Sequence, residues 1–339
     1  MGIRALGGDD GVTGLGPEKT ASASALEASL RGRVTEALQR LSAHVDVSGV
    51  KLCVTQDAIE IVRMEHKLTL LPAAADGGLP SVSRVAAELA TFLLPVPEEV
   101  MRRIANDLGD AASGFLDPLV EVSRIDPTLI IDSRYATADN CAKRALYPPQ
   151  MRTRCFVRQS MATQLHRVQT TLHRQGYGLK IWDGYRPQAI QWRCADPEVI
   201  PDAATRRLFV PPTQGSNHAR GCAVDLTLVH RETGHECLMP TGFDSPAPEA
   251  ASDATDGLSR EPMENRQRLH AAMTEAGFVP LPHEWWHFNF RPDGNTDRSR
   301  NAGDLYLVLD IPFEALLAAG EPAALTGRSH HSKRGGLLL

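Results

Sequence analysis

The strongest constraint on the fold of this 339-residue chain is the irregular succession of short strands and amphipathic helices from about residue 119 onward. Apolar residues recur every three or four positions from Val157 to Leu172 and predict a helix that ends at Gly176. Further strands are predicted at residues 129–131, 179–182, 222–228 and 285–290, and a second long helix at 259–276, capped by Ser259. Because these elements lack a regular βαβ rhythm, they favour an α+β fold with a small antiparallel sheet flanked by helices.

The chain divides into four parts by composition. Residues 1–25 are rich in small and polar residues and are expected to be disordered, and residues 326–339 form a flexible tail. Residues 26–118 form an α-rich N-terminal region, with helices predicted at 30–41, 83–94 and 97–108 and strands at 51–62 and 67–71. This region contains no evident cluster of reactive residues, so its role and any protein partner stay unknown. The chemistry is expected in residues 119–325.

Charge and hydropathy exclude several classes of function. The chain has 36 basic and 41 acidic residues, and this acidic balance argues against nucleic acid as a partner. No apolar run approaches the roughly 20 residues that span a bilayer, so no membrane association is expected. The N-terminus shows no apolar export signal, and the six cysteines form no C-x-x-C pair. We therefore expect buried free thiols and a cytoplasmic protein.

The first reactive motif runs from Ser216 to Asp225 and contains His218 before a glycine, Gly221, that permits a tight turn. On the strand that follows, Asp225 points away from its apolar neighbours and can face a cleft. An imidazole and a carboxylate are suitable ligands for zinc.

The second motif, His283-Glu284-Trp285-Trp286-His287-Phe288, places a glutamate three residues before a histidine. A regular strand would put Glu284 and His287 on opposite faces, so we expect a bulge or a strand start here. His218, Asp225 and His287 together supply three ligands for one Zn²⁺ per chain and leave a fourth position for water. Glu284 can then act as the general base.

Two further residues are candidates for binding substrate. Arg186 follows a predicted strand in the turn Gly184-Tyr185-Arg186-Pro187 and can bind an oxyanion, although it could simply pair with Asp183. Asp244, in the loop after Met239, can pair with an ammonium group or can cap a turn.

Roles other than catalysis or zinc binding stay open for Glu284 and for two further histidines. Glu284 could be a surface ion-pair partner. His230 and His235, which flank Glu232 and Gly234, could imitate a second metal site, although a hairpin loop is the preferred interpretation.

Taken together, these motifs resemble the zinc D-alanyl-D-alanine dipeptidases, within the wider group of D-Ala-D-Ala metallopeptidases. The matching stretches are Ser216-x-His218-x-x-Gly221-x-Ala223-x-Asp225, Glu284-x-Trp286-His287 and Gly184-Tyr185-Arg186-Pro187, with a looser match at Asp132 to Asn140. The resemblance extends from about Asp126 to Phe313. It departs at Cys141, where the family usually has an aromatic residue.

The resemblance implies a function and a role for each residue. His218, Asp225 and His287 would bind zinc, Glu284 would be the catalytic base, and Arg186 would stabilise the tetrahedral intermediate. Ser216 and Asp244 would hold the free amino end of a small dipeptide substrate. A longer peptide, acylated at that nitrogen, lacks the ammonium group that a buried carboxylate needs.

Two alternatives stay open at this point. Within the same group, the chain could be a peptidoglycan D,D-carboxypeptidase or endopeptidase, which the absence of an export signal disfavours. From another class, it could be a zinc-stabilised binding module without catalysis. A structural zinc site needs neither Glu284 nor Arg186 and is usually closed by four protein ligands.

Overall fold

The structure of the protein is a computed structural model, which describes residues 28, 32–41, 50–54, 59–63, 66–70, 85, 89, 117–292, 294, 306 and 308–320. In chain order, the helices and strands are α1 (residues 32–41), β1 (Lys51–Val54), β2 (Ile59–Arg63), β3 (His66–Leu70), β4 (Leu119–Glu121), α2 (Val122–Ile125), β5 (Ile130–Ile131), β6 (Phe156–Arg158), α3 (Gln159–His173), β7 (Tyr177–Asp183), α4 (Gln188–Ala195), α5 (Ala203–Arg206), β8 (Ala223–His230), α6 (Arg260–Glu275), β9 (Phe278–Leu281), β10 (Glu284–Phe290), β11 (Val308–Asp310) and α7 (Phe313–Gly320). This mixture confirms the predicted α+β class.

The main sheet has five strands in the order β5-β7-β8-β10-β9. Its neighbours pair antiparallel, as expected, except that the short edge strand β5 pairs parallel to β7. The three central strands β7, β8 and β10 are buried along nearly their whole length. They form the rigid platform on which the candidate site is built.

Helices α3 and α6 contact the sheet and each other, and they supply the core behind it. Met161, Leu165 and Leu172 on α3 are fully buried in one cluster with Val224 and Leu226 of β8. The apolar spacing that predicts α3 is therefore the stripe that packs on the sheet.

Two predicted details at the helix starts are wrong. The helix predicted from Val157 begins only at Gln159, because Phe156–Arg158 pairs with β4 as a strand. Ser259 does occupy the N-cap position of α6, but its side chain makes no capping hydrogen bond.

The strands predicted at 51–62 and 67–71 are observed as three strands, because residues 51–62 contribute two, β1 and β2, which pair antiparallel. They form a four-stranded antiparallel sheet in the order β1-β2-β3-β11, so the last strand comes from the C-terminal part of the chain. The first predicted helix is confirmed at residues 32–41. The helices expected at 83–94 and 97–108 lie outside the described residues apart from Val85 and Leu89, both helical, and so do residues 1–25 and 326–339.

The cysteines whose side chains are described carry free thiols, as predicted, and four of the five are buried. No helix in the described part of the chain has the length and hydropathy needed to cross a membrane.

Candidate active site

Three acidic or basic side chains lie in one row across the centre of the sheet. Asp225 on β8 pairs in register with Asp183 on β7 and with His287 on β10. Since Val224 and Leu226 pack into the core, Asp225 projects from the opposite face, as its position in the sequence predicts. The register thus concentrates charge at one place on the face that the helices leave open.

A tight turn brings His218 to the same place. Gly221 has a φ of 74° and its amide donates to the His218 carbonyl oxygen at 3.0 Å, so the turn uses a backbone conformation that glycine adopts readily. A side chain at this position would also meet Leu119 Cδ2 at 2.5 Å. The His218 ring places Nδ1 2.7 Å from the Gly184 carbonyl oxygen, which leaves Nε2 to face Asp225 and His287.

The three residues predicted as metal ligands lie together and are buried. His218 Nε2 is 3.1 Å from His287 Nδ1 and 3.4 Å from Asp225 Oδ2, and His287 Nδ1 is 2.9 Å from Asp225 Oδ1. Ligand atoms on a tetrahedral zinc ion are about 3.4 Å apart, given metal–ligand distances near 2.1 Å. The donor types and spacing therefore fit a zinc ion or a cation of similar size.

The electrostatics of this cluster favour a bound cation. Burial alone would raise the pKa of Asp225, but the two neighbouring histidines lower it strongly and keep the carboxylate ionised. Burial opposes protonation of His287, and the hydrogen bond to Asp225 overcomes this and raises the pKa of the imidazole. Both shifts have the same cause, since the buried Asp225 carboxylate favours a positive charge beside it.

Glu284 faces the same cluster because β10 is irregular at its start. The register between β9 and β10 shifts between Glu284 and Phe288, which confirms the expected bulge. Glu284 Oε2 lies 3.9 Å from His287 Nδ1. Burial, with Asp225 and Asp244 nearby, raises the pKa of Glu284 to about 8 although His287 opposes the shift. Such a carboxylate is not a surface ion-pair partner.

Arg186 is buried, and its guanidinium is held in one orientation. Its Nε donates to Asp183 Oδ2 at 2.9 Å and its Nη1 to Gln191 Oε1 at 3.0 Å, so the pairing considered from the sequence is present. The remaining nitrogen, Nη2, lies 2.8 Å from Asp183 and 3.6 Å from Asp225. Burial opposes the charge, but Asp183 raises the pKa of Arg186 further, so it stays cationic. The ion pair with Asp183 therefore anchors Arg186 beside the cluster.

Asp244 lines the same cavity, and its carboxylate is held by residues distant in sequence rather than by its own turn. Both of its oxygens accept from the Tyr135 hydroxyl at 3.1 Å, across 109 residues of sequence, and Oδ2 accepts from the Cys141 amide at 3.3 Å. Burial raises the pKa of Asp244 to about 6; the hydrogen bond from Cys141 opposes the shift, and the charge of Asp225 adds to it. Ser216 is buried, and its Oγ accepts from the His218 amide at 3.2 Å.

All seven residues singled out from the sequence line one cavity of about 180 Å³. The other lining residues are Tyr135, Gln191, Leu208, Phe209, Val210, Asn217, Leu281 and Asn289. This volume is below the range of roughly 300–1,000 Å³ for pockets that hold drug-sized ligands. The cavity therefore fits a small polar molecule.

Sequence reasoning missed several residues around this cavity. Gln191 holds Arg186, and Tyr147 donates to Asp183 Oδ1 at 2.7 Å, but neither belongs to a motif. Asn217 lies inside the first motif and Asn289 just after the second, so closeness to a histidine predicted as a metal ligand was the available signal.

The other histidine pair does not form a metal site. The His230 amide donates to the His235 carbonyl oxygen at 2.9 Å, which closes the predicted hairpin. Within the described residues, His218, Asp225 and His287 form the single group whose geometry suits a metal ion.

The family model and the known proteins that match this chain all indicate one family. Residues 117–302 match the family model Peptidase_M15, described as D-ala-D-ala dipeptidase, close to the extent that the motifs predict. A D-alanyl-D-alanine dipeptidase of Escherichia coli is 37% identical over 174 residues, which is 50% of this chain and 83% of that protein. The dipeptidase of Enterococcus faecium is 32% identical in an alignment that covers 53% of this chain and 91% of that protein. The dipeptidase of Streptomyces coelicolor is also 32% identical, over 56% of this chain and 95% of that protein. The chain therefore belongs to the Peptidase_M15 family of metallopeptidases.

Proposed function

We propose that this protein is a zinc-dependent dipeptidase that hydrolyses D-Ala-D-Ala or a closely related dipeptide. The observation that carries the proposal is the convergence of the buried His218 Nε2, Asp225 and His287 Nδ1 in a small cavity that Glu284 and Arg186 also line. Family membership and the names of the relatives support the substrate class.

The three ligands would hold Zn²⁺, whose Lewis acidity lowers the pKa of water and polarises a carbonyl group. Glu284 performs the proton transfers: it accepts a proton from the attacking water and delivers it to the leaving nitrogen. A buried carboxylate with a raised pKa suits both steps, because it holds the proton between them.

Arg186 stabilises the negative charge that develops on the carbonyl oxygen as water adds. Since Asp183 and Gln191 hold the guanidinium, it needs no rearrangement during the reaction. Its charge does not titrate near neutral pH.

Asp244 selects the free amino end of the dipeptide, and Ser216, which lines the same cavity, assists. The Asp244 carboxylate is buried with two uncharged donors, so a substrate ammonium supplies the cation that compensates its charge. An acylated nitrogen cannot do so, and this disfavours the carboxypeptidase and endopeptidase alternatives. A purely structural zinc site would not explain a buried glutamate and arginine on the cavity wall.

The test is a substrate panel with zinc-loaded protein. D,D-, L,D- and L,L-dipeptides are each assayed free and N-acetylated. We expect hydrolysis of free D-Ala-D-Ala and little of its N-acetylated form. Comparable rates on both forms would instead support a carboxypeptidase, and zinc binding without turnover of any peptide would support a binding module.

A further inference from the structure

The side chain of Asn289 contacts the ring of one proposed metal ligand. His287 and Asn289 are two residues apart on β10, so their side chains project from the same face of the sheet. Asn289 Oδ1 lies 3.0 Å from His287 Nε2, the ring nitrogen that faces away from Asp225 and His218. The opposite nitrogen, Nδ1, faces the ligand cluster.

The orientation of this amide is set by a second asparagine. Asn217 Nδ2 donates to Asn289 Oδ1 at 2.8 Å, so the oxygen accepts from two directions. An Asn289 side chain turned by half a rotation would place its own N–H groups against these two donors. The contact with Asn217 thus favours the acceptor orientation toward His287.

Asn217 belongs to the tight turn that presents the other histidine. Its carbonyl oxygen accepts from the amides of Arg220 at 3.2 Å and Cys222 at 3.0 Å, and His218 follows it directly in sequence. The Asn217–Asn289 hydrogen bond therefore joins the turn that carries His218 to the strand that carries His287.

A ring nitrogen that binds a metal ion must offer a lone pair, so the proton of a neutral imidazole must lie on the other nitrogen. For His218, the Gly184 carbonyl oxygen accepts from Nδ1 and leaves Nε2 for the cation. For His287 the assignment is reversed, because Asn289 Oδ1 accepts from Nε2 and leaves Nδ1 for the cation.

We propose that Asn289 is a positioning residue that holds the proton of His287 on Nε2 and aims Nδ1 at the metal, with Asn217 orienting the Asn289 amide. The inference rests on the metal site proposed above. Partners of this kind typically change metal affinity by 10–100-fold when they are removed.

The experiment measures zinc affinity by competition with a chromophoric chelator, which needs no substrate. Asn289→Leu removes the acceptor and keeps the γ-branched shape of the asparagine side chain, and we expect zinc to bind about 10–100-fold more weakly. Asn289→Asp keeps an acceptor oxygen, so we expect affinity at or above that of the parent protein. Rescue by aspartate separates acceptance of a hydrogen bond from packing.

Asn265→Leu is the matched control. Asn265 is a buried asparagine on α6 whose Nδ2 donates to the Leu238 carbonyl oxygen at 3.0 Å, and it does not line the cavity. We expect this variant to lose stability but to bind zinc like the parent. A loss of zinc affinity equal to that of Asn289→Leu would overturn the proposal, because it would show a general effect of removing a buried amide.

A spectroscopic measurement tests the proton position itself. In zinc-loaded protein labelled with ¹⁵N at histidine, we expect a His287 Nε2–H signal that exchanges slowly with solvent and is lost in Asn289→Leu. A His287 signal from Nδ1–H would refute the assignment. Unchanged affinity in Asn289→Leu would end the proposal but not the proposed function, whereas failure of the parent protein to bind zinc would end both.

Discussion

Gly184→Ala is expected to damage both the fold and the site, because the glycine is enclosed by its neighbours. A Cβ atom at this position would overlap Cys155 Sγ and would lie 2.8 Å from the Phe156 carbonyl oxygen and 3.1 Å from Val157 Cγ1. The Phe156 oxygen cannot easily move, since it accepts from the Tyr185 amide at 2.7 Å. Overpacking of a dense interior costs about 1–3 kcal/mol, and a fixed backbone neighbour places this substitution near the upper end.

The assay is urea unfolding of the metal-free protein, followed by tryptophan fluorescence. A loss of about 3 kcal/mol should lower the unfolding midpoint clearly, since it is a large fraction of the 5–15 kcal/mol that stabilises a typical protein. Gly178→Ala, on the same strand, is the control. Its nearest side-chain atoms would be 3.5 Å from the new Cβ, so we expect a change within about 1 kcal/mol and toward higher stability.

Gly184→Ala should also weaken zinc binding, because the Gly184 carbonyl oxygen is the hydrogen-bond partner of His218 Nδ1. A shift of this strand end moves the acceptor away from the ring. An unfolding midpoint for Gly184→Ala equal to those of the parent protein and Gly178→Ala would refute the packing argument.

Glu284, Asp244 and the metal site give further predictions. Glu284→Gln should retain zinc while its turnover of D-Ala-D-Ala falls about 10²–10⁴-fold in steady-state kinetics, and a parental rate would contradict the role of this residue as base. In the metal-free protein, the raised pKa of Glu284 contributes stability that is fully present below the ordinary pKa of 4.5 and is lost as the pH rises through about 8. Glu284→Gln should therefore flatten the dependence of the urea midpoint on pH across this window. The raised pKa of Asp244 gives a similar loss of stability as the pH rises from 3.8 through about 6, and Asp244→Asn should remove this pH dependence. Asp244→Asn should also lower kcat/KM for the free dipeptide without lowering it for the N-acetylated one, and equal losses on both would argue against ammonium recognition. Chelation should lower the thermal midpoint, and zinc at 100 times its dissociation constant should restore about 2.7 kcal/mol; a midpoint insensitive to zinc would contradict a specific metal site.

Local patterns were sufficient to predict most elements that form the platform. The apolar spacing behind α3 and the alternation along β8 reflect which side of each element packs against the core, and this can be read from neighbouring residues. The bulge at Glu284 was also predictable, because two reactive side chains at that spacing cannot share a face on a regular strand.

Contacts between distant residues were not predictable in the same way. The pairing of Asp244 with Tyr135 spans 109 residues, and no local pattern specifies it. The pairing of β11 with β3 likewise joins the N-terminal and C-terminal parts of the chain. Such contacts depend on how whole elements pack, so they carry no periodic signal in the sequence.

The sequence by itself determined the chemical inventory: two histidines and an aspartate suited to zinc, with a glutamate and an arginine nearby in motifs whose local turns and strands it also specifies. The tertiary structure decided how these groups face one another. Strand register aligns Asp183, Asp225 and His287, burial raises the pKa of Glu284, and Asn289 accepts a hydrogen bond from one chosen nitrogen of His287. These properties depend on distance and on exclusion of water, which arise only when separate segments pack together.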